Sequence, residues 1–251
     1  LIIYDEVHLL PAPIFKMTAD LQARRRLGLT ATLVREDGRE SDVFSLIGPK
    51  RFDAPWKDIE AQGYIAPAEC FEVRVELPDE ERMEYAIADG DARFRIAATA
   101  NAKIPLMKKI LAKHAGEPTL IIGQYLDQID EVAELLNIPK LTGQTPVDER
   151  EQLYKDFRSG KLTALVVSKV ANFSVDLPEA SVAIQISGAF GSRQEEAQRL
   201  GRLLRPKQDG RTAQFYTLIA RDTLEQDFAQ NRQRFLAEQG YSYEILDSDS
   251  I

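Results

Sequence analysis

Hydrophobic and polar residues alternate along the chain between short apolar runs and longer segments with helical spacing. Residues 1–4 and 27–31 are apolar runs that predict buried strands, and residues 11–23 between them are spaced as in a helix. The chain begins directly with apolar residues, so we expect it to start inside a strand, with further sequence upstream.

The same alternation continues through the rest of the chain, where it is more regular. Strand-like runs are predicted at residues 70–77, 119–123, 164–168, 182–187 and 213–219, and helices at 104–114, 127–136, 147–157, 194–204 and 222–239. Strands that alternate with helices predict an α/β fold in which helices cover a parallel sheet, with functional loops at the carboxyl ends of the strands. The acidic residues 247–251 are expected to fray.

A segment with three prolines, residues 49–67, separates the two patterns and predicts a connector. We expect the aromatic side chains of Phe52 and Trp56 to pack this connector. His114 is expected to lie at a helix C-terminus, and Cys70, the single cysteine, to be a packed thiol outside any disulfide.

Composition limits the class of protein. Hydrophobic residues make up 44% of the 251 residues, enough for a sizeable core, and no apolar run approaches the roughly 20 residues that span a bilayer. We expect a cytoplasmic protein with no membrane partner. The net charge of −8 argues against binding nucleic acid by bulk attraction, although it leaves room for a local basic groove.

Three short segments suggest chemistry. In the predicted helix 194–204 and just beyond it, Gln198, Arg202 and Arg205 share one face while leucines occupy the opposite face. Guanidinium groups held on a packed helix suit the charge that develops on phosphoryl oxygens, so these arginines are candidate arginine fingers. The alternative interpretation is a solvated basic face on an amphipathic helix.

The first strand is followed by Asp5, Glu6 and His8, and the second ends near Thr30 and Thr32. Adjacent carboxylates at the end of a strand suit a site where one holds Mg²⁺ and the other orients or deprotonates the attacking water. An acidic turn open to solvent is the alternative interpretation. The threonine hydroxyls suit hydrogen bonds that report the state of a nucleotide site, or simply the end of a strand.

The order of these segments carries a family resemblance. DEVH at 5–8, LTAT at 29–32 and QRLGRLLR at 198–205 resemble motifs II, III and VI of superfamily 2 helicases, and the triplet Arg35, Glu36, Asp37 resembles that of XPB-type members. Residues 168–180 and 191–206 extend the similarity. Ser174 stands where other helicases usually carry glycine and XPB-type members can carry serine.

The resemblance implies two RecA-like domains with ATP between them and DNA unwinding or translocation from 3′ to 5′, linked to DNA repair or transcription. The domain boundaries are then 1–52 for the end of RecA-like domain 1, 53–69 for the connector, 70–225 for RecA-like domain 2 with a short thumb-like insert near 78–102, and 226–251 for a C-terminal helix and tail. Its cofactors would be ATP and Mg²⁺, and its partners DNA and a repair nuclease or transcription factors.

The resemblance also implies a role for each candidate residue. Asp5 and Glu6 would be catalytic and hold Mg²⁺, and Arg202 and Arg205 would act on the terminal phosphates. The nucleotide contacts would be His8, Asp176 and Gln198, with His8 bridging to Gln198, and the coupling residues Thr30 and Thr32. The DNA contacts would be Arg35, Glu36, Asp37, Gln124, Thr142, Gly143, Ser168 and Lys169.

One family element does not occur in the sequence. No run of the form G-x-x-x-x-G-K-[ST], the loop whose amides and lysine hold nucleotide phosphates, lies within the 251 residues. We therefore expect a carboxy-terminal fragment that lacks the N-terminal helicase half and is inactive alone. The alternatives are a non-catalytic module that binds nucleic acid or a partner, and an RNA helicase or restriction-type translocase, which the Arg35–Asp37 triplet disfavours.

Overall fold

The computed structural model of the chain describes residues 1–30, 38, 40–168, 180–188, 200–201, 210 and 212–251. Its N-terminal part contains a small parallel sheet of β1 (Ile2–Tyr4) and β2 (Arg26–Gly28). A 3₁₀ turn at Val7–Leu9, helix α1 (Pro13–Lys16) and a second 3₁₀ turn at Met17–Asp20 connect the strands, and α2 (Glu40–Ile47) follows. Val7, Leu10 and Val43 form the small core of this part.

Two predictions for this N-terminal part are wrong in detail. The strands are not buried, because Ile3 is 55% exposed and Leu27 45% exposed on a sheet with only two strands among the described residues. A strand buries both faces only when other layers cover them. The predicted helix 11–23 is broken into α1 and the 3₁₀ turn, and it ends at Asp20.

The larger sheet contains seven parallel strands within the described residues, in the spatial order β5-β6-β4-β7-β8-β3-β9. The strands are β3 (Ala68–Val75), β4 (Thr119–Gly123), β5 (Lys140–Leu141), β6 (Ala164–Ser168), β7 (Val182–Gln185), β8 (Ala213–Ala220) and β9 (Tyr243–Asp247). The predicted parallel α/β sheet is therefore confirmed. Strands β4 and β6 have the predicted bounds, because their apolar centres end at small or polar residues on both sides.

Helices accompany this sheet, and the four at residues 103–113, 126–136, 147–158 and 224–238 lie at nearly the predicted positions, whereas most of the predicted helix 194–204 lies outside the described residues. They are α3 (Trp56–Ala61), α4 (Asp79–Ile87), α5 (Gly90–Ala98), α6 (Lys103–Lys113), α7 (Leu126–Leu136), α8 (Val147–Arg158) and α9 (Leu224–Glu238). Two apolar clusters contain alternate strand residues: Ile122 and Phe215 belong to one, Ile121 and Tyr216 to the other. Because neighbouring strand residues point to opposite faces, the sheet is covered on both sides.

The structure also tests the expectations for the connector, the C-terminal residues and Cys70. The predicted connector contains α3, whose Trp56 is buried in the core of the larger sheet, whereas Phe52 is 83% exposed and does not pack. The expected fraying of residues 247–251 is wrong, because Asp247 pairs with Arg74 at the end of β9, Ser248–Ser250 form a 3₁₀ turn, and Ile251 packs against the core. Cys70 is a buried thiol, as predicted.

The segment near 78–102, where a thumb-like insert is predicted, contains the helices α4 and α5, and the second of these packs into the core. Phe94 of α5 is buried and meets Phe228 of α9 edge to face, with ring centroids 5.2 Å apart. The expectation of a short helical projection is therefore wrong for α5. No helix within the described ranges is long and apolar enough to cross a membrane.

Candidate nucleotide and nucleic-acid site

The predicted magnesium ligands stand at the exit of β1, where the backbone has an unusual conformation. Glu6 has φ 50° and ψ 47°, in the left-handed region, and precedes the 3₁₀ turn Val7–Leu9. A residue other than glycine in that region costs roughly 1–2 kcal/mol, and such conformations concentrate at functional sites. The Oδ1 atom of Asp5 accepts the Glu6 N–H at 3.0 Å, and both carboxylates are exposed.

The exit of β1 is attached to the exit of β2 by backbone contacts. The Val7 N–H donates to the Leu29 carbonyl at 3.0 Å, and the Leu29 N–H donates to the Tyr4 carbonyl at 2.8 Å. A Cβ atom on Gly28 would lie 2.7 Å from Cγ2 of Val7, closer than real side chains approach. Gly28 is therefore needed where the two segments cross, a requirement that the sequence analysis did not identify.

His8 brings three of the predicted residues together. Its side chain is fully buried, and its Nδ1 atom lies 2.8 Å from Thr30 Oγ1 and 3.3 Å from Glu6 Oε2. The structure thus places the acidic segment and the first threonine of the second segment against the same nitrogen atom of the buried imidazole.

A second group of predicted residues lies at the carboxyl edge of the larger sheet. Gln124 follows β4, Thr142 and Gly143 follow β5, and Ser168 ends β6. These three strands are neighbours and parallel, with Gly123 in register with Ser168, so their ends share one edge. The side chains of Ser168 and Thr142 are largely buried at this edge, whereas Gly143 is exposed.

Hydrogen bonds hold the backbone at this edge. The Thr142 N–H donates to Thr145 Oγ1 at 2.9 Å, and Thr142 Oγ1 accepts the Gln144 N–H at 3.2 Å. The Gln124 N–H donates to Ser187 Oγ at 2.7 Å, which ties the end of β4 to the residues that follow β7. Ser187 carries no signal in the sequence, because its role depends on its position beside β4.

The other candidate residues lie outside the described residues, so the structure does not place them. They are Thr32, Arg35, Glu36, Asp37, Lys169, Asp176, Gln198, Arg202 and Arg205. The predicted bridge from His8 to Gln198 accordingly stays a prediction.

The donor set at the β1 exit suits a hydrated magnesium ion. Within the described ranges no group of three or more His, Cys, Asp or Glu residues has the geometry to hold a metal. Protein sites for Mg²⁺ in phosphoryl transfer commonly use one or two carboxylates, with waters and substrate phosphates completing the shell. The two exposed carboxylates of Asp5 and Glu6 fit that pattern.

The predicted insert carries acidic side chains, whereas a surface that binds phosphate would be basic. Together with α7 it lines a cavity of about 460 Å³, and Glu80, Glu81, Glu84, Asp127 and Glu131 are among its lining residues. Carboxylates repel nucleic-acid phosphates, so this side of the insert does not favour DNA.

Comparison with known proteins decides the family. The model of the ERCC3/RAD25/XPB C-terminal helicase matches residues 59–250, which is most of the chain. The chain belongs to the XPB family of helicases. The resemblance of its motifs to XPB-type helicases is thereby confirmed.

Relatives of this XPB-family chain support the same assignment. The DNA 3′-5′ helicase XPB of Kineococcus radiotolerans is 69% identical over all 251 residues, which cover 45% of that protein. The protein of the same name from Mycobacterium tuberculosis is 67% identical, with 46% covered. The factor IIH helicase/translocase subunit XPB of Drosophila melanogaster is 38% identical over 254 residues, with 32% covered. The chain spans about half the length, or less, of these relatives.

Solved structures show the fold of this XPB-family chain. The structure of S. cerevisiae Dbp5 bound to RNA and ADP BeF3 matches with a TM-score of 0.69 at 13% identity, covering 99% of this chain and 60% of that one. The Pyrococcus furiosus Hef helicase domain matches with a TM-score of 0.56 at 15% identity, covering 91% and 72%. The RecA-like architecture is therefore confirmed, and at these identities the likeness shows the fold alone.

Proposed function

We propose that this chain is part of an ATP-dependent DNA helicase or translocase of the XPB type that moves from 3′ to 5′. The observation that carries the proposal is the group formed by Glu6, His8 and Thr30. It joins the segment that resembles motif II to the segment that resembles motif III through a buried imidazole. We propose that this contact couples nucleotide hydrolysis to motion of the segments that it joins.

The chemistry assigned to the β1 exit is activation of water for attack on the terminal phosphate. Asp5 and Glu6 would hold Mg²⁺, which neutralises charge on the phosphate oxygens when bound. Glu6 would also orient and deprotonate the attacking water, which its exposed carboxylate suits. Arg202 and Arg205 would stabilise the charge that develops in the transition state, and His8, Asp176 and Gln198 would contact the nucleotide.

Nucleic acid would bind at the carboxyl edge of the larger sheet. Gln124, Thr142, Gly143 and Ser168 lie there together, and Lys169 follows directly in the sequence. Hydroxyl groups, amides and backbone N–H groups can contact phosphates without a large positive charge, so the net charge of −8 is no obstacle. Arg35, Glu36 and Asp37 would contact DNA from the first domain, and Thr30 and Thr32 would couple the two events.

The test uses the intact protein that contains this chain. Replacing Arg205 with Ala should lower DNA-stimulated ATP hydrolysis by roughly 10³-fold or more, the size of effect that arginine fingers have elsewhere. The matched control is Arg51→Ala, which removes an exposed guanidinium far from the motif in sequence. Turnover of Arg205→Ala within twofold of the wild type would refute the finger. Stimulation by RNA but not DNA would refute the substrate class.

A non-catalytic role is the second candidate, and one observation favours it for the chain by itself. The 251 residues contain no G-x-x-x-x-G-K-[ST] loop, so phosphate binding would need residues from outside them. We expect the isolated chain not to hydrolyse ATP. If the intact protein also lacks DNA-stimulated hydrolysis, a binding module that interacts with DNA or with repair or transcription factors is the better assignment.

A further inference from the structure

The chain leaves β4 at the carboxyl edge of the larger sheet, where nucleic acid is proposed to bind. The pairing of β4 with β7 continues as far as a hydrogen bond from the Ile186 N–H to the Ile122 carbonyl, at 2.9 Å. Gly123 ends β4, and Gln124, a candidate DNA contact, is the first residue beyond the strand. The Gln124 N–H lies outside the strand, so it needs an acceptor other than a paired strand.

Ser187 supplies this acceptor. Its side chain is fully buried, and its hydroxyl oxygen accepts the Gln124 N–H at 2.7 Å. One hydrogen bond therefore joins Ser187 directly to a candidate DNA contact. Without the hydroxyl, the Gln124 N–H would lose its acceptor, and the backbone would shift to find another partner or water.

The packing around Gly123 leaves the backbone little freedom at this point. A Cβ atom on Gly123 would lie 2.9 Å from Cγ1 of Ile129 in α7 and 3.3 Å from Cδ1 of Ile186. The first of these distances is shorter than real Cβ atoms show, so a residue without a side chain is needed here. The chain thus leaves β4 through a narrow space between α7 and the residues that follow β7.

A buried ion pair holds the backbone that carries Ser187. The Lys103 and Glu225 side chains are both fully buried, and Lys103 Nζ lies 2.7 and 2.8 Å from the two Glu225 oxygens. The same ammonium donates to the carbonyls of Ile186 at 2.9 Å and Ala98 at 3.0 Å. The residue immediately before Ser187 is therefore fixed to α5, α6 and α9, which makes Ser187 a rigid support.

The side chain of Gln124 is available to a ligand. It is half-buried, and its Oε1 atom is shielded from solvent without a hydrogen-bond partner among the described residues. An amide offers both donors and an acceptor, and Gln side chains donate to phosphate oxygens in protein–DNA complexes. Because folding leaves this amide oxygen unpaired, the place of the side chain depends on the backbone that Ser187 holds.

We propose that Ser187 is a positioning residue for DNA binding, which holds the Gln124 backbone so that the Gln124 side chain can contact the sugar–phosphate backbone of DNA. This inference rests on the proposed function, because it takes Gln124 to be a DNA contact. Ser187 acts from a fully buried position and does not itself touch DNA. Loss of its hydroxyl should weaken DNA binding and leave the chemical step of ATP hydrolysis unchanged.

The experiment uses the intact protein and a fluorescein-labelled DNA duplex with a single-stranded 3′ tail, whose binding is followed by fluorescence anisotropy. Ser187→Ala and Gln124→Ala should each raise Kd for this DNA at least about fivefold, as expected for the loss of one hydrogen bond. The double variant should bind within about twofold of the weaker single variant, because both changes act on the same contact.

Ser181→Ala is the matched control. Ser181 is also a buried serine, but it immediately precedes β7 at the opposite edge of the sheet, where its hydroxyl donates to Glu117 at 3.4 Å. Removing this hydroxyl should leave Kd for DNA within about twofold of the wild type, because no candidate DNA contact depends on it.

Salt dependence and kinetics separate positioning from a general loss of structure. Ser187→Ala removes no charge, so the slope of log affinity against log salt concentration should equal that of the wild type. Half-maximal stimulation of ATP hydrolysis should need at least about fivefold more DNA, with kcat at saturating DNA within about twofold of the wild type.

Amide hydrogen exchange tests the contact itself in the absence of DNA. In Ser187→Ala the Gln124 amide should exchange at least about tenfold faster, while amides of β8 keep wild-type protection. Circular dichroism confirms that each variant is folded before affinities are compared.

Folded Ser187→Ala with Kd for DNA within about twofold of the wild type would overturn the positioning role. Additive losses in the double variant, a change in kcat alone, or an equal loss in Ser181→Ala would also overturn it. If Gln124→Ala weakens binding and Ser187→Ala does not, Gln124 remains a DNA contact and only the positioning role fails.

Two outcomes separate this inference from the proposed function. Gln124→Ala with wild-type affinity would overturn both the Gln124 contact and the role of Ser187, while Arg205→Ala still tests ATP hydrolysis by itself. A wild-type protein that binds DNA but does not hydrolyse ATP would overturn the helicase assignment, whereas weaker DNA binding by Ser187→Ala would still support the positioning role.

Discussion

The buried pair of Lys103 and Glu225 supports a quantitative prediction about stability. Replacing Lys103 with Met keeps a long, unbranched side chain but removes the ammonium. Glu225 then stays in a fully buried position, where it keeps the hydrogen bond from the Ala220 N–H but loses the opposite charge. Removing one partner of a buried ion pair is strongly destabilising, because the other charge is left uncompensated.

The size of the effect follows from this loss. Breaking a buried pair costs roughly 3–5 kcal/mol in the free energy of unfolding. For a domain of this size such a change lowers Tm by roughly 6–20 °C, at about 2–4 °C per kcal/mol. Two backbone carbonyls, those of Ala98 and Ile186, also lose their ammonium donor, so the upper half of the range is expected.

Tryptophan fluorescence during urea unfolding measures this change in the relevant part of the molecule. Trp56 is the single tryptophan of the chain and lies in the core of the larger sheet, so its emission follows that core. The matched control is Lys108→Met, an exposed lysine on the same helix, which should change the free energy of unfolding by less than about 0.5 kcal/mol.

A double variant separates the pair from its surroundings. Combining Lys103→Met with Glu225→Gln removes both charges, while the amide oxygen of the substituted side chain can still accept the Ala220 N–H. The combined loss should therefore be at least about 1 kcal/mol less than the sum of the single losses. A loss below about 1 kcal/mol in Lys103→Met, or losses that simply add, would refute the reasoning.

Two further predictions concern the β1 exit and the alkaline limit of stability. Gly28→Ala should impair DNA-stimulated hydrolysis in the intact protein by forcing Val7 away, and adding Val7→Ala should restore part of it; no recovery in steady-state assays would contradict the steric explanation. Burial raises the pKa of Tyr216 to about 12 from 10.0, helped by nearby carboxylates of Glu69, Glu117 and Glu244. Its contribution to stability is therefore complete below pH 10 and is lost as pH rises towards 12, since the unfolded state releases the phenolic proton first. Tm measured from pH 9 to 12 should accordingly fall less steeply in Tyr216→Phe than in the wild type or in Tyr64→Phe, whose ring is exposed; equal slopes would contradict this assignment.

Much of the larger sheet was predictable from the sequence because its central strands are buried on both faces. The runs at Thr119–Gly123 and Ala164–Ser168 are apolar at their centres and end at small or polar residues, so their bounds follow from composition alone. The order of three short motifs likewise indicated a superfamily 2 helicase, and the triplet Arg35, Glu36, Asp37 indicated the XPB family. The N-terminal strands were predicted less well, because an apolar run does not reveal whether another layer covers it.

At the candidate site, too, some residues could be identified from the sequence and others only from the structure. Asp5, Glu6, His8 and Thr30 stood out in the sequence as members of motifs, and the structure brings Glu6, His8 and Thr30 into contact. Gly28 did not stand out, because its role depends on how closely Val7 crosses it. Steric requirements of this kind arise only when two segments meet.

The sequence by itself determined most strands and helices of the larger sheet, the family, and the residue types at the candidate site, because periodicity and motif spacing are local properties of a chain. Only the tertiary structure decided that β9 completes the sheet beside β3, that Lys103 pairs with Glu225, and that Arg232 covers Gly188. In each case the two partners are more than forty residues apart in the sequence. The position of a residue along the chain does not indicate which distant residue will pack against it and exclude water.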